Sequence, residues 1–423
     1  MSVFPAEFLD QIRVRIPLRD LARQRTSLVR RGKNWFGCCP FHQERTPSFK
    51  IDGEHDFYYC FGCGAHGDLF SFVMELEKVN FSDAVALLAE RAGVSLPHLD
   101  PQEKRRWAQK KRLKTLLQEA AEWFHNALLG PQGEEARAYL THRGIDKSMW
   151  RKFKLGFSPP GESLATFLTE RGYREQEGLE SGLFALSSHH ARPFARFRNR
   201  LLFPIVDVFG HCVGFGGRIL EETSKEAKYI NSPESPLFDK SALLYGYPFA
   251  RQGTSSEPVL IVEGYLDVIS LHQSGFERVV ASLGTATQIQ QVQDCWKLCA
   301  EPIVLFDGDA AGRKAADRLI ERILSILKPG YSLKFSFLPE GEDPDSFVRR
   351  KGNAALQALL QEAHPLSEGL WQQVLSSIGQ ETPEQRAHVW QRVETLLTAI
   401  THPDIRRFYR EDFRKKERLL RTS

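Results

Sequence analysis

Residues 303–312 read IVLFDGDAAG, an apolar run that ends on two aspartates. Side chains alternate along a strand, so Asp307 and Asp309 point the same way. Two like charges that close are costly to bury unless something positive lies between them. The same setting recurs twice. Glu263 ends PVLIVEG with Asp267 one helical turn on, and Asp343 and Asp345 lie in GEDPD just after LKFSFLP. No His or Cys set accompanies these carboxylates, and all-oxygen ligands favour Mg²⁺ or Mn²⁺ over zinc. Paired ions of this kind activate an attacking oxygen and stabilise a leaving one, as in chemistry on phosphates. Solvated loop carboxylates are the plain alternative, but they would not explain why all three sites share one geometric role.

A second constellation lies in CPFHQERTPSFKIDGEHDFYYCFGCGAHG. Cys39-x-x-His42 is separated by 17 residues from Cys60-x-x-Cys63. Two close ligand pairs across a hairpin-length spacer suit one tetrahedral zinc, and four protein ligands make it structural rather than catalytic. Gly62 and Gly64 supply the tight turn of the second knuckle. Cys38 competes with Cys39 for the first position, and His55 and His66 are further candidates. The seven cysteines are odd in number, and four cluster early. That pattern argues for metal binding in a reducing compartment rather than disulfides. Phe41, Arg45, Phe49, Lys50, Phe57, Tyr58, Tyr59 and Phe61 interleave rings with cations. They form either a stacking surface for single-stranded nucleic acid or a small core packed around the metal.

Basic side chains precede the acidic region. RFRNRLLFP carries Arg196, Arg198 and Arg200. GFGGRILEETSKEAKYINSPES carries Arg218, Lys228, Tyr229 and Asn231, and FDKSALLYG carries Lys240. These read as a track for phosphates, with a surface strand of alternating charge as the alternative for 196–200. The runs KRRWAQKKRLK (104–114) and RRFYREDFRKKERLLR (406–421) are basic too, although the net charge is only +4. Each could equally be a solvated helix face.

These side chains need a scaffold. Between 258 and 340 strands alternate with helices: PVLIVEG, then YLDVISLHQSG, RVVASLG, TQIQQVQDCWKLC, PIVLFDGD, RKAADRLIERILSIL and LKFSFLP. Ala316, Leu319, Ile320, Ile323 and Leu327 share one helical face. This alternation predicts a parallel sheet with crossover helices. Ligands of such sheets bind beyond the carboxyl ends of the strands, where all the carboxylates would gather. Upstream, FSDAVALLAERAG predicts a helix capped by Ser82 and ended by Gly93. Pro97 and Pro101 then flank a polar linker. Helix resumes from about 102, residues 201–219 read as strands, and helix alone is expected from about 354.

The chain has 423 residues, 42% hydrophobic and 26% charged, in the range of a soluble protein of several domains. No apolar run nears the roughly 20 residues of a membrane helix, and the charged start shows no export signal, so a cytoplasmic location is expected.

The motifs CPFH…ERTPSF…YCFGCGAHG, RFRNRLLFPI, GFGGR, KYINSPES, LLYG, VEGYLDV, ASLGTA, FDGDAAGRKAA and FLPEGEDPD, in that order, resemble bacterial replicative DNA primases of the DnaG type over nearly the whole chain. VEGYLD followed by FDGDAAG is similar to the Toprim metal-binding fold. The resemblance implies a multidomain α+β and α/β protein. It places a zinc-ribbon domain at 1–98, a basic linker at 99–114, and a mixed α/β subdomain of the RNA polymerase domain at 115–256. A Toprim catalytic subdomain at 257–345 and a helical subdomain at 346–423 follow.

It further implies a nucleotidyltransferase that makes short RNA primers on single-stranded DNA from ribonucleoside triphosphates, at the nucleoid and replication fork. Glu263, Asp267, Asp307, Asp309, Asp343 and Asp345 match the family's acidic Mg²⁺ or Mn²⁺ site. Glu263, Asp307 and Asp309 are the catalytic group, and Glu263 is either a ligand or a proton-transfer group. Arg198, Arg200, Arg218, Lys228, Tyr229, Asn231 and Lys240 match positions linked to nucleotide or template. Two departures stand out. Arg45 stands where lysine is common. The family's further domain, which docks on the replicative helicase, is not found after 406–421, so a helicase partner is left open. A Toprim nuclease or topoisomerase, and a non-catalytic nucleic-acid-binding protein, are the competing readings.

Overall fold

The computed structural model describes residues 4–420 except 45, 54–55, 97–100, 162, 188–189, 209, 222–225, 254–256, 285 and 378–381. The expectations placed on Arg45, His55 and Pro97 lie outside the described residues. The chain divides into two compact units, Met1–Lys111 and Arg112–Ser423.

In the first unit, helices α1 (Ala6–Arg15) and α2 (Leu18–Ala22) precede strands β1 (Val29–Arg31), β2 (Asn34–Gly37), β3 (Phe49–Asp52), β4 (Phe57–Cys60) and β5 (His66–Gly67). Helices α3 (Leu69–Glu77) and α4 (Phe81–Ala92) follow. The strands pair in chain order as an antiparallel meander. Period-2 alternation settles the aromatic question by position. In β4, Tyr58 and Cys60 point inward while Phe57 and Tyr59 face out. Phe49, Ile51 and Tyr58 pack on Phe70 and Phe72 of α3 and Val85 and Leu88 of α4. Gly93 ends α4 in the left-handed conformation, as expected. The N-cap, however, is Asn80, whose side chain accepts from the Asp83 amide at 3.0 Å. Ser82 lies inside the helix.

Helix α5 (Pro101–Leu129) takes up the basic stretch of the expected linker from Pro101 onward. Lys, Arg, Gln, Ala and Leu are good helix formers, and no Gly or Pro interrupts them.

The second unit continues with α6 (Glu134–His142), α7 (Lys147–Lys152), β6 (Gly156–Ser158), α8 (Ser163–Glu170), α9 (Glu175–Glu180) and a hairpin of β7 (Phe184–Ser187) and β8 (His190–Ala195). Strands β9 (Arg200–Val206), β10 (Cys212–Ile219) and β11 (Tyr229–Asn231) follow, then α10 (Tyr247–Gln252). An antiparallel sheet in the order β11-β10-β9-β6 results. Its strands β9 and β10 are almost wholly buried.

The parallel region then unfolds as the alternation predicts: β12 (Leu260–Val262), α11 (Tyr265–Gln273), β13 (Val279–Ala281), α12 (Ile289–Trp296), β14 (Ile303–Phe306), α13 (Ala310–Ile323), β15 (Lys334–Phe337) and α14 (Pro344–Lys351). The order is β13-β12-β14-β15, all parallel, so the winding reverses between β12 and β14. Ala316, Leu319, Ile320 and Ile323 bury one face of α13. Leu327 is buried as well, although the helix gives way before it to a 3-10 turn, Leu324–Ile326. Helices α15 (Asn353–Gln361), α16 (Leu366–Ser377), α17 (Pro383–Thr398) and α18 (Pro403–Leu420) close the chain. The expectation of helix alone after 354 needs one correction. The short strand β16 (His364–Pro365) pairs antiparallel with the edge of β15, satisfying edge groups that would otherwise face solvent. None of the described helices is long and apolar enough to cross a membrane.

The two larger sheets of this unit meet through tyrosine. Tyr265 of α11 stacks on Phe203 of β9, with ring centroids 5.0 Å apart and planes within 8°. Tyr245 meets it edge-on at 4.8 Å. Gly216 of β10 makes this fit, because a Cβ there would lie 2.5 Å from the Tyr265 ring. Gly216→Ala is expected to destabilise the chain by about 1–3 kcal/mol, read as a lower urea midpoint at unchanged slope.

Candidate functional site

The zinc ligands converge. Single ligand atoms of Cys39, His42, Cys60 and Cys63 all lie within 4.8 Å of one another. Cys39 Sγ is 3.7 Å from Cys63 Sγ, and Cys60 Sγ is 3.9 Å from His42 Nδ1. Cys39 follows β2, Cys60 ends β4, and Cys63 sits in the turn between β4 and β5. The Phe41 amide donates to Cys39 Sγ and the Cys63 amide to Cys60 Sγ, each at 3.4 Å. Burial opposes ionisation of Cys60, but hydrogen bonds from Ser48 and the Cys63 and Gly62 amides outweigh it and hold the thiol below its ordinary value. Burial pushes the Cys39 and Cys63 thiols up instead. Three sulfurs with a ring nitrogen are the donor set of a structural zinc, whose charge would offset that cost. Cys38 and His66 stay outside the group. His66 Nδ1 pairs instead with the Gly64 carbonyl at 2.9 Å.

Two residues of this site escaped the sequence reading. Glu44 accepts from the Cys39 amide at 2.6 Å and from Ser48 Oγ at 2.5 Å, and faces His42 Nε2 at 3.2 Å. It therefore fixes the ring so that Nδ1 turns to the metal position. Ser48 Oγ also lies 3.1 Å from Cys60 Sγ. Gly62 must be glycine, since a Cβ would sit 2.7 Å from His42 Nε2. The only signal in the sequence was a carboxylate two residues after a ligand. Of the interleaved aromatics, Phe41, Phe49 and Tyr58 belong to the core. Phe57, Tyr59 and Phe61 are exposed, and Lys50 stands opposite Tyr59 across the sheet.

The second site lies where the parallel sheet changes its winding. Glu263 leaves the end of β12 and Asp307 the end of β14, the two strands that flank the reversal. Asp309 caps α13, accepting from the Gly312 amide at 2.7 Å through Oδ1. Asp343 caps α14, accepting from the Ser346 amide at 2.7 Å, also through Oδ1. Each cap leaves a second oxygen for another partner. A Cβ on Gly308 would sit 2.2 Å from the Pro339 carbonyl, so glycine lets the β14 end run close under the loop after β15.

Crowding shows in the protonation energetics. Burial, then the charges of Asp343, Asp307 and Asp345, push Asp267 up to about 8. Burial, then Glu263, Asp343 and Asp309, push Asp307 up to about 7. Glu263 is raised by burial and by Asp309. A divalent cation among these oxygens relieves the repulsion, so the donor set fits the group expected there.

Asp345 has different company. It is 1% exposed, and both its oxygens meet protein donors: Oδ2 faces Arg143 Nη1 at 3.0 Å, and Oδ1 faces Ser270 Oγ at 2.9 Å and Arg349 Nε at 3.3 Å. The sequence grouped it with the open carboxylates and missed Arg143, which is some 200 residues away in the chain.

The basic residues also divide. Arg198 and Lys228 are exposed, Arg198 lying over the Phe194 ring at 4.7 Å, and Lys240 is half-buried. Arg200 is buried, donating to the Ala227 carbonyl at 2.9 Å and Glu226 at 2.8 Å. It holds the segment that leads into β11 and includes Lys228, donating to the Lys228 carbonyl as well. Arg218 donates to the Tyr229 hydroxyl at 2.8 Å and lies over the Tyr139 ring at 4.7 Å. Asn231 accepts from the Tyr265 hydroxyl at 2.6 Å and donates to the Leu283 carbonyl at 2.9 Å, tying β11 to the parallel region.

A zinc ribbon, a glycine-rich antiparallel sheet and a carboxylate crevice at a sheet's switch point define a zinc-ribbon protein with a Toprim region, a divalent metal-binding fold. Family models agree: "CHC2 zinc finger" over residues 4–104, "DNA primase catalytic core, N-terminal domain" over 123–251 and "Toprim-like" over 260–348. The chain is 36% identical to the DNA primase of Escherichia coli over 425 residues, 99% of this chain and 72% of that one. It is 39% identical to the DNA primase of Pseudomonas aeruginosa over 417 residues, 97% of this chain but 62% of the relative. The chain thus spans less than two thirds of that relative's length. Among solved structures, the zinc-binding and RNA polymerase domains of Aquifex aeolicus primase match with a TM-score of 0.62 at 31% identity, covering 97% of this chain and 96% of that one. A DnaG primase catalytic domain bound to single-stranded DNA matches with a TM-score of 0.67 at 35% identity, covering 73% and 96%. The chain belongs to the DNA primase family.

Two outcomes follow from this geometry. Glu44→Ala should weaken zinc binding about 10–100-fold in a chromophoric-chelator competition, whereas Cys38→Ser should leave it unchanged. Asp267 and Asp307 bind protons more tightly in the folded chain than at the ordinary value of 3.8. Their contribution to stability is therefore present at low pH and is lost as pH rises through about 7 and 8. In Mg²⁺-free buffer the melting temperature should fall between pH 6 and pH 8.5, and Asp267→Asn should flatten that fall.

Proposed function

We propose that the chain is a DNA-templated RNA polymerase that makes short primers on single-stranded DNA from ribonucleoside triphosphates, with Mg²⁺ or Mn²⁺ at the carboxylate crevice. The observation that carries this is the convergence of Glu263, Asp267, Asp307, Asp309 and Asp343 at the β12–β14 switch point of a chain that also carries a zinc ribbon. The reaction is attack by a 3′-hydroxyl on an α-phosphorus with loss of pyrophosphate. When bound, the divalent ions supply charge neutralisation and alignment of the phosphate oxygens.

The chain's own residues do the rest. Asp307 and Asp309 stand at the centre of the crevice and hold the ions. Asp343 offers the oxygen left free by its cap. Glu263, at the exposed rim, serves either as a ligand or as the acceptor of the hydroxyl proton. Arg198, Lys228 and Lys240 contact template or triphosphate oxygens. Arg218 acts with Tyr229 as a rigid cationic wall beside them, and Arg200 and Asn231 position that wall. The exposed Phe57, Tyr59 and Phe61, with Lys50, offer stacking faces and charge for unpaired template bases. A relative's catalytic domain solved with single-stranded DNA supports a template of that kind. The replicative helicase is an open partner.

Asp307→Ala is expected to abolish RNA synthesis, at least about 10³-fold if the ions carry most of the electrostatic stabilisation, while single-stranded DNA affinity stays within about threefold. The assay uses mixed-sequence single-stranded DNA, labelled nucleoside triphosphates and Mg²⁺ or Mn²⁺ without helicase, with products resolved on a denaturing gel. Normal primer yield from the variant would remove the metal-site assignment. Plasmid nicking that needs no nucleotide would favour a cleaving enzyme instead.

A further inference from the structure

Three helices meet at the Asp345 carboxylate. Asp345 sits in the first turn of α14, two residues after Asp343. Ser270, which donates to its Oδ1 at 2.9 Å, sits in α11, three residues after Asp267. Arg143, which donates to its Oδ2 at 3.0 Å, follows α6 and comes from outside the parallel region. Arg349, one turn further along α14, closes on Oδ1 at 3.3 Å. The carboxylate is 1% exposed, and Arg143 and Arg349 balance its charge. Arg143, Ser270 and Arg349 between them take three of its roughly four lone-pair directions, so its oxygens are committed to protein donors rather than turned to an ion.

We propose that Asp345 is a positioning residue. With Arg143 and Ser270 it forms a strut that fixes the distance between the helices carrying Asp343 and Asp267, and so sets the spacing of two oxygens that face the ions. The inference rests on the metal reading above and deepens it. An ion such as Mg²⁺ requires near-ideal ligand distances, so affinity depends on struts of this kind as well as on the ligands. The strut also couples the antiparallel region to the crevice. The Arg143 and Arg218 guanidinium groups lie over the same Tyr139 ring, at 5.7 Å and 4.7 Å.

The test is a Mn²⁺ titration of the zinc-loaded full chain, followed by electron paramagnetic resonance, which reports the number of ions bound and their affinity without turnover. Asp345→Asn keeps the size of the side chain but removes its charge and one of its two acceptor oxygens. It should leave the number of ions unchanged and weaken their affinity about 10–100-fold. Arg143→Ala should do the same, Arg143→Lys should recover part of the loss, and the double variant should bind no worse than the weaker single one. Ser270→Ala, the mildest change, should weaken binding severalfold with the melting temperature little altered, which separates positioning from loss of fold. Loss of one bound ion in Asp345→Asn with wild-type affinity in Arg143→Ala would make Asp345 a ligand and overturn the proposal. Wild-type binding in both would overturn it too. A wild-type chain with no Mn²⁺ signal sensitive to Asp307→Ala would remove the metal reading itself, and this inference with it.

Discussion

Carboxylates that repel one another must be held close by the fold itself, and the parallel region of the second unit is organised around that constraint. The oxygens of Glu263, Asp267, Asp307, Asp309 and Asp343 come from two strand ends, one helix interior and two helix caps. A polypeptide can bring such points together cheaply only where parallel strands end side by side and the winding reverses, because only there do two adjacent strand ends open onto one crevice. Buried β12 and β14 supply the rigidity, and the glycines at 308 and 216 supply the closeness. The raised protonation of Asp267 and Asp307 is the energetic mark of the arrangement.

The zinc ribbon solves the opposite problem. Its meander is short and its strands span only two to four residues each, so packing alone gives it a small core. Four ligands tie β2, β4 and the following turn to one point, and Glu44 with Ser48 ties the ligands to each other. The free faces of its strands can then carry exposed rings without collapsing onto them.

Much of this was legible from sequence because it is local. Alternating apolar runs and helical faces placed the β12–α14 order, and close-set ligand pairs placed the zinc site. What stayed hidden was long-range or depended on which atom a side chain offers. Arg143 and Asp345 are distant in the chain, and no periodicity links them. Arg200 reads as a surface cation in RFRNR, yet the β9 register turns it inward onto the carbonyls of the next segment. Asn80 displaced Ser82 as a cap because both can accept from an amide and only the backbone decides which stands first. The two-residue β16 is too short to leave any pattern.

The double duty of Asp309 and Asp343 reaches beyond the reaction. At each position one oxygen starts a helix and the other looks into the crevice. A glutamate there would keep the charge but extend past the amide it must meet, giving up a cap that contributes about 0.5–2 kcal/mol. Side-chain length at these two positions is therefore dictated by the folding of α13 and α14 even before any ion is considered. A lineage that ceased to need the chemistry would still be under pressure to keep a short capping side chain at both positions, but asparagine or serine would serve there as well as aspartate. In a distant relative, a short polar residue at these two positions thus testifies only to the helix starts, whereas the negative charge there, and Glu263, which caps nothing, are the more telling witnesses.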